Sequence, residues 1–211
     1  MGETTKLIAL TFDDGPNTST SMEVLDLLEK YQVRASFFLI GELIKEETIP
    51  VIQREMSLGC EINNHSWTHS FMNKMPKEEI AEEIRKTSEK ITEITGKEPR
   101  FFRPPYIEVN DLMYEVIDMP FICGQGAEDW VPEVSADERA RRVLKQAQDG
   151  SIVLLHDLLG NVNTVEALKT IIPELKQRGF EFVTVSELFE RKNEPIRKHV
   201  GTIYSLVPED K

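Results

Sequence analysis

The sequence is poor in the residues that staple a small fold or cross a membrane. Its 211 residues include two cysteines, Cys60 and Cys123, too few for a disulfide framework. Each lies in or beside an apolar run, and both read as buried free thiols. No stretch approaches the roughly 18 apolar residues of a membrane helix. The N-terminus has neither the charged leader nor the apolar core of a signal peptide, so an exported protein would have lost its leader. Basic residues are short as well: 25 Lys and Arg against 37 Asp and Glu leave a net charge of −12. That excess repels phosphate backbones and anionic lipid, and no nucleic acid partner or membrane span is expected. Histidine is scarce, with four in the chain, so where those four fall is informative.

What is present is an ordinary globular composition, 40% hydrophobic and 29% charged, enough for one substantial core. Apolar runs that read as strands occur at Lys6–Phe12, Ala35–Ile40, Cys60–Asn63, Arg100–Arg103, Pro120–Gly124, Ser151–Leu155 and Phe180–Val183. Between them the spacing predicts helices over Thr20–Tyr31, Thr48–Leu58, Lys77–Thr95, Asp111–Ile117, Ser135–Gln148 and Thr164–Arg178. Ser135 and Glu138 have capping-box spacing, and Gly96 and Gly179 stand where helices end. Such alternation predicts parallel βα units in a single domain, 1–211. The polar tail, 191–211, is expected to pack over the outside of that domain.

In parallel α/β folds chemistry gathers at the C-terminal ends of the strands. Five predicted strand ends carry polar groups: Asp13-Asp14, His65 and His69, Arg103 and Tyr106, Asp129-Trp130, and His156-Asp157. Three of the four histidines are in that set, and only His199 lies outside it. His65 and His69, four apart, would share one face of a helical turn and reach one metal ion. A strand-one carboxylate completes an Asp-His-His set with an open position for water, which zinc, cobalt or nickel accepts. Of the two adjacent acids, one can hold a metal and the other can take a proton from water. Taken alone, Asp13-Asp14 before Gly15-Pro16 also reads as turn chemistry. His156 leaves the apolar run Ile152–Leu155, where a histidine can protonate a leaving group or simply sit in a core.

Five motifs in order resemble the polysaccharide deacetylase family, the NodB-like, metal-dependent carbohydrate esterases of family four. They are Thr-Phe-Asp-Asp-Gly-Pro at 11–16, His-Ser-Trp-Thr-His at 65–69, Arg-Pro-Pro-Tyr at 103–106, Asp-Trp at 129–130 and Leu-Leu-His-Asp at 154–157. The resemblance implies an α/β fold, a distorted (β/α)7 barrel. It implies that Asp14, His65 and His69 hold one divalent ion, that Asp13 is the general base and that His156 is the general acid. Arg103 would tether the base and Asp129 would orient His156. The Tyr106 backbone N–H would stabilise the oxyanion, and Trp130 and Leu154 would line the acetyl pocket. Asp157 resembles a supporting residue. The family often has Gly where Ile107 stands and an acid where Gly126 stands. Both departures alter the walls of the groove and leave the reacting groups in place.

The expected activity is removal of acetyl groups from a polysaccharide or oligosaccharide. Phe101–Asn110 with Asp-Trp-Val-Pro at 129–132 resembles the acetylxylan esterase branch more than the chitin or peptidoglycan N-deacetylases. Trp67, Tyr106 and Trp130 are candidates to stack on sugar rings. A monomer is expected, as is a secreted or cell-surface catalytic domain without its signal peptide, with the cytoplasm as the alternative. A catalytically silent sugar-binding barrel would lack a ligand or the acid/base pair. A glycoside hydrolase using Asp13 with Glu61 or Glu128 would leave the histidines without a purpose.

Overall fold

The computed structural model describes residues 5–208. In chain order the elements are β1 (Lys6–Asp13), α1 (Thr20–Tyr31), β2 (Ser36–Leu39), α2 (Ile49–Ser57), β3 (Glu61–Asn64), α3 (Lys77–Thr95) and α4 (Asp111–Val116). There follow β4 (Phe121–Ile122), β5 (Gln125–Gly126), α5 (Ala136–Gln146), β6 (Ser151–His156), α6 (Val162–Gln177), β7 (Phe180–Phe182), α7 (Val185–Arg191) and β8 (Ile203–Tyr204).

β1 is the axis of the sheet because it is apolar on both faces, as a central parallel strand must be. It pairs in parallel with β6 along Ile8–Asp13, with β2 at Thr11–Asp13 and with β7 at Lys6–Ile8. The principal order is β3-β2-β1-β6-β5, with β4 and β8 as a second parallel pair. Backbone hydrogen bonds carry the curve round to a distorted barrel. Arg103 N–H donates to Asn64 O, Ile122 N–H to Phe102 O, Cys123 N–H to Tyr204 O and Ile152 N–H to Ser205 O. Along β1, Ile8, Leu10 and Phe12 pack outward against the helices, while Leu7 and Ala9 join Phe38, Phe101 and Ile152 inside. That two-residue period makes Asp13 an inward-facing residue at the mouth. In β6 the same period puts Leu154 and His156 on the inner side.

Several expectations need correction. Arg100–Arg103 is not a strand; Phe102 alone bridges β3 and β4. Pro99 before it and Pro104-Pro105 after it lack the N–H groups a longer ladder would use. The expected strand Pro120–Gly124 splits, because Gly124 has φ +98 and lies against Leu154. The chain thereby trades β8 for β6 as its partner. The tail is not merely external: it supplies β8, Leu206 bridges Ser151, and Val207 is fully buried. Residues 209–211 of that tail lie outside the described residues. The capping box at α5 is half made: Ser135 Oγ accepts from Glu138 N–H at 3.3 Å, but Glu138 turns to Arg141 and Arg142. Cys60 and Cys123 are free, but half-buried rather than buried; burial pushes the Cys60 thiol up to about 12.

Candidate active site

Asp13, Asp14, His65, His69, Tyr106, Trp130, Leu154 and His156 line one pocket of about 320 Å³ at the C-terminal mouth of the barrel. Asp13 faces it by strand parity. Asp14, one residue on, would point away, but its backbone is left-handed, φ 71°, and the turn brings its carboxylate back. Of the eight described non-glycine residues in that conformation, Asp14, His69, Tyr106 and Ile107 line this pocket, and Ser66 and Glu128 adjoin His65 and Asp129 in sequence. Backbone strain of this kind persists only where surrounding bonds enforce it.

Those bonds are visible in the 65–69 segment, which is not the helical turn that its spacing suggests. Ser66 and His69 are both left-handed. Glu83 of α3 accepts from Trp67 N–H at 2.9 Å, Thr68 N–H at 2.8 Å and Thr68 Oγ1 at 3.0 Å. His69 N–H donates to Ser66 Oγ at 3.0 Å. The two imidazoles still meet. One nitrogen from each and one oxygen of Asp14 lie within 4.8 Å of one another, with Asp14 Oδ1 at 3.5 Å from His65 Nε2 and 3.3 Å from His69 Nε2. His65 Nδ1 lies 2.7 Å from Arg103 O, so that nitrogen donates and Nε2 keeps its lone pair. Asp14 Oδ1 is buried without a hydrogen-bond partner. Burial pushes the Asp14 carboxyl up, but the surrounding imidazoles, His65 first and then His156 and His69, outweigh it and hold it at about 2. Burial and the neighbouring His65 lower the pKa of His69. Both groups are therefore deprotonated near neutrality, the state a metal requires.

Asp13 stands apart from that trio in its bonding. Its Oδ1 takes Arg103 Nη1 at 2.5 Å, both groups buried, while Oδ2 faces His65 Nε2 at 3.6 Å. The Arg103 guanidinium lies over the Phe38 ring at 4.1 Å, so one arginine fixes Asp13 with its side chain and His65 with its carbonyl. Across the pocket, Asp129 Oδ1 lies 2.8 Å from His156 Nδ1, and Oδ2 accepts from His156 N–H at 2.7 Å. Burial lowers the pKa of His156, yet Asp129, with Asp13 and Asp14, lifts it to about 9. Asp157 is turned away from the pocket. Its carboxyl accepts from Ser21 Oγ and packs on Gly15, where a Cβ would come within 2.7 Å of it. Burial raises Asp157 to about 7.

Trp130 and Tyr106 are half-exposed at the rim, and Trp130 meets His156 edge-on at 5.4 Å. Trp130 packs over Gly126, where an added Cβ would make ordinary van der Waals contact with the indole at 3.5 Å. Trp67 does not line the pocket. It fills the space left by Gly41, where a Cβ would be 2.3 Å from the ring, with Lys86 above. The paired-carboxylate alternative also fails. Glu61 begins β3, at the other end of the barrel, bonded to Ser36 and Ser186, and Glu128 pairs with Arg142.

Four residues that strand-end reasoning missed hold this site: Glu83, Arg139, Asn161 and Thr164. Thr164 Oγ1 donates to Asp129 at 2.8 Å and Asn161 Nδ2 to His156 O at 2.9 Å, and Arg139 reaches both helpers. The one available signal was Arg139, a charge on the Ala140/Val143 stripe of an amphipathic helix.

A family model described as polysaccharide deacetylase matches residues 2–119. A bifunctional xylanase/deacetylase of Pseudobutyrivibrio xylanivorans is 52% identical over 89% of this chain and 31% of its own length. The peptidoglycan-N-acetylglucosamine deacetylase PgdA of Listeria monocytogenes is 38% identical over 90% of this chain and 40% of its own length. The chain thus spans about a third to two-fifths of these curated relatives. A solved family 4 acetyl xylan esterase from Clostridium thermocellum, in complex with a cobalt ion, superposes with a TM-score of 0.93 at 43% identity, covering 96% of this chain and all of that one.

Proposed function

The chain belongs to the polysaccharide deacetylase family, and from that premise we propose that it is a metal-dependent hydrolase removing O-acetyl groups from xylan. The observation that carries the reading is one pocket flanked by Asp14, His65 and His69, by Asp13 on Arg103, and by His156 on Asp129. No member of the set is missing, as a silent sugar-binding barrel would require. The preference for xylan rests on the 52% identity with a xylanase/deacetylase, against 38% with PgdA.

Asp14, His65 and His69 suit a divalent ion: the orphaned Asp14 oxygen and two imidazole nitrogens converge, in a donor set that zinc, cobalt or nickel accepts. When bound, the ion supplies Lewis acidity toward the acetyl carbonyl and acidifies water. The rest is the work of the side chains. Asp13, held by Arg103, takes the proton from the attacking water through its other oxygen. The Tyr106 N–H donates to the carbonyl oxygen as it gains charge. His156, its Nδ1 held by Asp129, gives the proton on Nε2 to the departing sugar oxygen. Acetate and a free hydroxyl are the products. Trp130 and Leu154 bound the space for the acetyl methyl. A polymeric substrate does not cross a membrane, so the reading extends to a secreted or surface-attached enzyme.

Two mutations test the acid. His156→Ala should cost about a hundredfold or more in turnover of acetylated xylan. It should spare para-nitrophenyl acetate, whose phenolate leaves without a proton. Equal loss on both substrates would remove His156 from the acid role. Asp129→Asn removes the group that holds His156 near 9. Burial then dominates, and the alkaline limb of kcat/KM should move down toward or below the ordinary histidine value of about 6.5. A limb left in place would show that Asp129 does not set the acid.

The function itself is tested by acetate release from acetylated xylan beside N-acetylglucosamine oligomers, with and without chelator. We expect release from xylan, lost on chelation and restored by zinc or cobalt. Release from the amino sugar alone would replace the xylan reading with N-deacetylation, and indifference to chelator would defeat the metal.

A further inference from the structure

Behind the Asp129–His156 pair lies a cation that the pocket does not use. Arg139 is 1% exposed and makes no ion pair among the described residues. Its guanidinium instead meets four neutral acceptors: Asn161 Oδ1 at 2.5 Å, Thr164 Oγ1 at 2.9 Å, Val134 O at 2.9 Å and Val131 O at 3.0 Å. A guanidinium can only donate, and that restriction propagates. Thr164 Oγ1 accepts from Arg139, so its own hydrogen is free for Asp129 Oδ2, 2.8 Å away. Asn161 accepts through Oδ1, so its NH2 must face His156 O at 2.9 Å and Asp129 Oδ2 at 3.5 Å. With His156 N–H and Nδ1–H, every group reaching Asp129 is a donor. A carboxylate surrounded only by donors has no acceptor for a proton of its own.

We propose that Arg139 is a positioning residue that fixes the direction of the hydrogen bonds around Asp129, keeping it an ionised acceptor and His156 the proton donor. The same guanidinium holds Val131 O and Val134 O, and so anchors the loop that carries Trp130 beside His156. The proposal rests on the reading of His156 as the acid that serves the departing sugar oxygen.

The test compares Arg139→Lys, Arg139→Met and Thr164→Val with His156→Ala in the metal-loaded full chain. Lysine keeps the charge but not the fork, so it cannot reach both helpers and both carbonyls at once. Thr164→Val breaks the relay without touching the buried charge, and keeps the test open if the Arg139 variants fail to fold. In all three, turnover of acetylated xylo-oligosaccharide should fall at least about tenfold. Turnover of para-nitrophenyl acetate should change less than about threefold in Thr164→Val, with metal content unchanged in all three. The Arg139 variants also release the Trp130 loop and should lose some of that turnover, but less than they lose on the xylo-oligosaccharide. Equal loss on both substrates, or a Thr164→Val enzyme that behaves as wild type, overturns the proposal. Absence of the substrate split in His156→Ala would overturn the acid reading itself, and this inference with it. A split in His156→Ala without one in the other variants defeats Arg139 alone.

Discussion

Asp13→Asn should slow acetate release by about a hundredfold to ten-thousandfold while the protein still binds one divalent ion. The two adjacent acids differ in what holds them. Asp14 Oδ1 has two imidazole nitrogens at 3.3 and 3.5 Å and no donor of its own. Asp13 Oδ1 is already taken by Arg103 at 2.5 Å. An amide keeps an oxygen for Arg103, so the buried guanidinium retains an acceptor and loses only the charge attraction. Some stability is lost with that charge, and a thermal melt beside the kinetics separates the two effects. What the amide cannot do is accept a proton from water. A protein that lost its metal with this substitution would reverse the roles of Asp13 and Asp14. One that kept full activity would remove Asp13 from the chemistry.

The strand-end residues were legible because each obeys a local rule. Apolar runs of strand length end at polar groups, and a period of two carries Asp13 and His156 to the inner side. Six of the seven described α-helices were legible for the same kind of reason, with Ile80 and Ile91 buried on α3 as the 3.6-residue period requires. The exception is α7, although Thr184 and Glu187 form a capping box at its start. The unread parts depend on distant partners. Phe102 is a strand residue only because β3 and β4 pass on either side of it. Ile203–Tyr204 becomes a strand because Gly124 turns β5 away and leaves β4 an edge. Trp67 stands between two metal-ligand candidates, yet the left-handed Ser66 sends it outward into the space beside Gly41. Thr164 and Asn161 act through Asp129, and nothing in their neighbours along the chain announces it.

His65→Ala is expected to lower metal affinity by more than about a hundredfold, since loss of a ligand should exceed the 10- to 100-fold typical of its supporting partners. Of the two histidines, His65 is the more constrained: its side chain is 3% exposed against 22% for His69, and its Nδ1 is held by Arg103 O at 2.7 Å. Removing it leaves Asp14 and His69 alone on the ion and strips Arg103 O of its donor. The direct measurement is metal per chain after dialysis. The second is thermal. A ligand at a hundred times its dissociation constant stabilises the folded state by about 2.7 kcal/mol, so zinc should raise the melting temperature of the wild type and leave that of His65→Ala nearly unmoved. The Asp14 carboxyl sits at about 2 and His69 below its ordinary value. Those shifts belong to the wild type, where no proton competes with the ion at either group near neutrality. His65 contributes to both, so part of the affinity lost in His65→Ala is its effect on these two ligands. An unchanged metal content would take His65 out of the ligand set, and with it the strand-end logic that paired it with Asp14.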